Sequence, residues 1–130
     1  MNRNEAFNVI LQSHDNFMPI WNEHIKYWEN ETPGITNDFS EYADYVLELI
    51  KTNNTKELEI ALEIIELLIE NGDENVQYGI TIGFLEGITN SLLALEPKYS
   101  LLFTNKLKPK SKKFCEELDE FWGTTTPGIK

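Results

Sequence analysis

Side chains able to do chemistry are few in kind here and uneven in number: two histidines, one cysteine and 22 carboxylates. His14 and His24 stand ten positions apart, which is not the spacing that sets two imidazoles around a metal on one helix face. Glu23 adjoins His24, but adjacent helical positions point about 100° apart and make a poor start for a metal site. Cys115 falls in a helical pattern beside Phe114 and Leu118 and reads as a reduced core thiol, not a nucleophile. No glycine-rich phosphate loop follows a strand, and no nucleophile elbow is present. Carboxylates are so abundant that a pair suited to acid–base work carries no information. The expectation is a chain with no catalytic residues, no metal and no cofactor, and not an enzyme.

The placement of the carboxylates says more. Residues 1–96 hold 18 acidic side chains against 4 basic ones, and residues 97–130 hold 4 against 7, within an overall net charge of −11. Glu41, Asp44 and Glu48 recur at i, i+3 and i+7. Glu59, Glu63, Glu66 and Glu70 recur at i, i+4, i+7 and i+11. Each set makes one stripe on a helix, with no lysine interleaved. Neighbouring like charges on a helix cost a few tenths of a kcal/mol per pair. Such ridges can steer a basic partner into contact; the plainer reading is a solvated outer face. Lys98, Lys106, Lys108, Lys110, Lys112 and Lys113 form the opposite pole. That pole lacks arginine and interleaved aromatics, and the rest of the chain would repel a polyanion, so nucleic acid is not an expected partner. A loop that pairs with the protein's own acidic helices fits it better.

The 130 residues suit one domain, and a 41% apolar fraction with 15 aromatics can fill a core. No run approaches the roughly 18–20 apolar residues of a membrane span. The start, Met1-Asn2-Arg3-Asn4-Glu5, does not read as a secretion signal. A lone cysteine fits a reducing compartment, and the expected location is the cytoplasm.

Helical spacing recurs along the chain and strand alternation does not. A first helix is expected over about 4–13, with Phe7, Ile10 and Leu11 on one side. A second, over about 17–30, carries Trp21, Ile25 and Trp28. A third, about 38–52, would be capped by Asn37 or Asp38. Its apolar face runs through Phe39, Tyr42, Ala43, Val46, Leu47 and Ile50. Thr55 opens a fourth whose apolar residues cover most of its circumference, so it should lie centrally. Asn71-Gly72 reads as a left-handed stop. Asp73 caps a long fifth helix to about Leu95. Pro97 opens a sixth, and Pro109 or Ser111 a seventh that ends at Trp122-Gly123. Residues 1–123 make the domain, and 124–130 an irregular tail. Gly79, Gly83 and Gly87 repeat every fourth position of the fifth helix. Each costs about 1 kcal/mol against Ala there, so they imply close approach of another helix or a groove. Glu86, amid apolar neighbours, must be paired or protonated if buried.

Two stretches carry a resemblance. One is Trp28-Glu29-x-Glu31-x-Pro33-Gly34-x-x-Asn37-Asp38-Phe39-Ser40. The other runs from Gly83-Phe84-Leu85-Glu86 to Pro109-Lys110-Ser111-x-x-Phe114-Cys115-x-x-Leu118-Asp119-x-Phe121-Trp122-Gly123. Together they resemble a family of small all-helical bacterial proteins that look like immunity proteins, which neutralise secreted antibacterial toxins. The resemblance implies a cytoplasmic inhibitor that covers a toxin domain.

The combined expectation is an all-α domain of six or seven helices, either an up-down bundle or a short stack of helical hairpins. Its expected function is to bind and occlude a basic toxin domain; an adaptor with a non-toxin partner and a small hydrolase are the alternatives. The expected binding surface is Glu41, Asp44, Glu48, Glu59, Glu63, Glu66 and Glu70. Trp28, Glu29 and Glu31, beside an aromatic anchor, come second.

Overall fold

In the computed structural model, residues 1–28, 31 and 34–129 are described. Seven helices form among them, and no strand. They are α1 (Arg3–Ser13), α2 (Met18–Tyr27, entered through a 3-10 turn at Asp15–Phe17), α3 (Ile35–Lys51) and α4 (Thr55–Asn71). The fifth, α5, runs through residues 74–93. It is α-helical over Glu74–Tyr78, π-helical over Gly79–Glu86 and α-helical again over Gly87–Leu93. Then come α6 (Pro97–Thr104) and α7 (Pro109–Trp122).

Local chemistry explains most of the boundaries. Asn2 and Glu5 form a reciprocal capping box on α1. Asn54 caps α4, one residue before the expected Thr55, and Asp73 caps α5 as its position implies. Gly123 takes a left-handed φ of 66° just past α7. Two expected signals have a different basis. Helix α3 begins at Ile35 behind Gly34, so neither Asn37 nor Asp38 caps it; Asp38 is wholly buried inside the helix. Gly72 has φ −71° and is no left-handed stop. A Cβ there would sit 2.5 Å from the Leu68 carbonyl and 2.6 Å from Val76, so crowding demands the glycine.

The core is one cluster to which every helix contributes. Aromatic packing ties its N-terminal half together. Phe7 stacks on Trp21 at 4.4 Å and meets Phe39 at 4.8 Å, and Phe17 meets Tyr42 edge-on at 5.5 Å. On α2 the buried residues are Trp21 and His24, while Ile25, expected on the same stripe, is exposed. On α4 Leu58, Leu62, Ile65 and Ile69 are buried, and Leu67 breaks out to solvent. Residues 124–129 are not helical, yet they belong to the domain. Ile129 is buried, Thr104 donates to the Pro127 carbonyl at 3.0 Å, and Asp119 accepts from Thr124 and Thr126.

The most extensively packed helix pair is α3 against the π segment of α5, with Gly79 and Gly83 at the contact. A Cβ at Gly79 would lie 2.6 Å from the Phe39 ring, and one at Gly83 would lie 2.6 Å from the Thr36 carbonyl oxygen. Ser40 donates its hydroxyl to the Gly83 carbonyl at 3.3 Å. Gly87 differs: nothing lies within 4 Å of its would-be Cβ, which faces a small cleft of about 130 Å³ between the helices. The glycine stripe is thus packing for two members and open space for the third. Glu86 is only half-buried and needs no partner.

Gly83→Ala should lower the unfolding free energy by about 1–3 kcal/mol, because backbone must move to admit the methyl group. Gly87→Ala should leave stability unchanged or raise it by up to about 1 kcal/mol. Urea denaturation of the two variants checks the contrast, and equal effects would disprove it.

Candidate functional site

The two acidic ridges meet different fates. On α4 the ridge is closed by the chain's own C-terminal quarter. Lys106 donates to Glu59 at 2.9 Å, and Lys110 pairs with Glu70 at 3.4 Å. Lys106 holds the Glu59 carboxyl below its ordinary range, first by its hydrogen bond and then by its charge. Glu66 accepts from the backbone N–H groups of Lys110 (3.0 Å) and Ser111 (2.9 Å) and from the Ser111 hydroxyl (3.0 Å). The cause lies in the start of α7. Lys108 occupies its cap position and offers no acceptor, so the first turn's N–H groups find their oxygen on another helix. A carboxylate there also suits the positive end of the helix dipole. Only Glu63 of this ridge stays without either a hydrogen bond or an ion pair among the described residues, and it faces Lys106 and Lys108 across a cleft. Of Glu59, Glu63, Glu66 and Glu70, expected as part of a landing surface for a partner, three thus bind α7 and the segment before it.

The α3 ridge stays open. Asp44 and Glu48 are exposed, and no cation among the described residues lies within ion-pair distance of either. Partial desolvation raises the Asp44 carboxyl above its ordinary value. Glu41, half-buried, has its Oε1 3.5 Å from Nδ1 of His24. Two grooves flank this ridge. The larger, about 730 Å³, lies between α2 and α3. Pro19, Ile20, Glu23, His24, Tyr27 and Trp28 form one wall, and Asn37, Ser40 and Glu41 the other. The second, about 420 Å³, shares Ile20 and Glu41 with the first and continues along Asp44, Glu48 and Thr52. Trp28 thus lands on the same face as Glu41, Asp44 and Glu48. Glu31 is exposed beyond the end of α2, and Glu29 lies outside the described residues.

Beneath the larger groove is a network that the residue pattern did not signal. Asp38 is buried between two partners: Nε of Arg3 at 2.5 Å and Nε2 of His24 at 2.8 Å. Arg3 also lies over the Trp21 ring at 5.7 Å. Burying a carboxylate is costly unless it is paired and hydrogen-bonded, and these two contacts meet the need. The one available hint was an acid within the buried pattern of α3, which the capping reading absorbed.

His14 is different. Its Nδ1 meets Glu57 at 2.8 Å and its Nε2 meets the Tyr42 hydroxyl at 2.8 Å, so both ring nitrogens are satisfied inside the fold. Burial lowers its pKa from 6.5, partly offset by the Glu57 hydrogen bond and charge. Folding thus favours the neutral ring. That contribution is whole above about pH 6.5 and is lost as the pH falls through the lower folded-state midpoint. Cys115 is buried, and desolvation, with Asp119 and Glu116 adding to it, pushes its thiol up to about 12. Among the described residues no group of three side chains is placed to hold a metal. No described helix is long and apolar enough to cross a membrane.

Glu66→Ala should cost about 1–2 kcal/mol, the scale of a lost cap, while Glu63→Ala should cost little. Chemical denaturation of both reads this directly. Proton NMR titration of the His14 ring should give a midpoint below 6.5. A midpoint above that value would mean that Glu57 outweighs burial.

No curated protein and no solved structure matches this chain. A family model does, over residues 7–123, a span that takes in the whole α2–α3 face and α7 but leaves out Arg3. The chain belongs to that family, a domain of unknown function (DUF7674).

Proposed function

We propose that this domain is a protein-binding inhibitor of immunity type, and that it meets a basic partner domain with its α2–α3 face. One observation carries the choice of surface: the α4 ridge is neutralised from within, and the α3 ridge is not. A row of like charges at half-buried Glu41 and exposed Asp44 and Glu48 costs the helix a little stability through mutual repulsion. A cationic partner relieves that cost and gains rate from steering. Exposed Ile20 and Tyr27 and half-buried Trp28 add apolar contact beside the charges, the mixture that forms an energetic centre in protein interfaces. The grooves are open troughs, suited to a partner's side chains. The toxin-neutralising role rests on the resemblance of the two sequence stretches above, and an adaptor with another basic partner would use the same face.

Co-production with the product of the adjacent gene tests the reading. Growth arrest caused by that product should be relieved by the wild-type chain. The double variant Asp44→Lys, Glu48→Lys should lose the relief and slow association by about tenfold or more at low salt. A bound partner that is not toxic, with the same charge sensitivity, would replace immunity by an adaptor role. A toxin bound equally well by the double variant would remove the α3 ridge from the interface.

A further inference from the structure

From the floor of the α2–α3 groove we infer a recognition site for one arginine side chain of the partner protein. This rests on the α2–α3 face being the docking face. The argument begins with the proton on His24. Asp38 is paired with Arg3 and can only accept, so the His24 nitrogen facing it at 2.8 Å, Nε2, carries the hydrogen. In the neutral ring Nδ1 then holds a lone pair. Nδ1 makes no hydrogen bond within the described chain, and it belongs to a side chain that is only 3% exposed and lines the groove. Oε1 of Glu41, 3.5 Å from Nδ1, is a second acceptor. Two acceptors thus face one opening, and no hydrogen bond from the described residues closes it. His14, by contrast, has partners on both nitrogens.

What closes such a pair is a group with several N–H donors and positive charge. Guanidinium fits better than ammonium: its planar fork can donate to Glu41 and Nδ1 together. Tyr27 and Trp28, edge to face with centroids 5.4 Å apart, supply aromatic surface on which that plane can stack. Glu23 adds a second carboxylate at the wall, and no lysine or arginine lines the groove among the described residues. Helix α2 ends here, so its carbonyl end contributes negative potential. Arg3 does not fill this role, because it is held on the far side of Asp38.

The test uses the full chain, ¹⁵N-labelled, with the tripeptide acetyl-Ala-Arg-Ala-amide as probe. The expected result is saturable shifts of the His24 ring nitrogens and the Trp28 indole, with a Kd in the millimolar range, about the strength one charged side chain provides. The citrulline analogue, same in shape but uncharged, should give no saturable response. Glu41→Gln, which keeps the shape of a half-buried side chain and removes its charge, should weaken the arginine response about tenfold. Four results with the isolated chain would overturn the site. The arginine probe gives no saturable shift; the lysine tripeptide binds as well as the arginine one; His24 at neutral pH carries protons on both nitrogens before any probe is added; or the same shifts appear on raising the protein concentration alone, which makes a second copy the occupant. A partner that still responds to Asp44→Lys and Glu48→Lys, with no arginine effect in the groove, would remove this inference and leave the proposed function standing.

Discussion

Phe39 against the glycines of α5 sets the orientation of everything on α3. Its ring occupies the space a Gly79 side chain would need, and the Thr36 carbonyl crowds Gly83 in the same way. A helix has one rotational setting once one side is held this closely. At about 100° per residue, Glu41, Asp44 and Glu48 lie roughly 140–180° around α3 from Phe39. The contact that buries Phe39 therefore turns these carboxylates outward. It also sets Asp38, one residue before Phe39, toward α1 and α2, where Arg3 and His24 meet it. The open ridge, the buried carboxylate and the groove between α2 and α3 are consequences of a single packing register.

Charge then divides the surface. The basic C-terminal quarter is used within the molecule: Lys106 and Lys110 hold α4, and Glu66 supplies the acceptor that the start of α7 lacks. Surface ion pairs contribute little each. The Glu66 contacts matter more, because the alternative is a helix start with unsatisfied N–H groups. Once α7 is seated in this way, one acidic ridge is spent as internal glue and the other is left for the outside. The contrast gives a physical basis for choosing between two stripes that look alike in one dimension.

The two histidines make the same point in a smaller space. Both are buried, and each is bonded to a carboxylate. His14 is closed by Tyr42 on its other nitrogen and acts as a structural link among α1, α3 and α4. His24 has its second nitrogen turned toward a groove and a second acceptor. Ring chemistry is identical in the two cases; what differs is whether the fold provides the last partner.

Sequence alone determined the helices and many of their ends, because periodicity and caps act over three or four residues. The apolar faces of α3 and α4, the Asp73 cap and the stop at Gly123 are all local in this sense. Local reading failed where a residue answers to distant neighbours. Asp38 looked like a cap but serves Arg3, 35 residues away, and Gly72 looked like a left-handed stop but avoids a clash. Only the tertiary structure decided which carboxylates remain available, since Glu59 and Glu66 are claimed by groups 44 to 47 positions further along the chain. Such pairings depend on how whole helices dock, and a stripe of glutamates carries no record of what will lie against it.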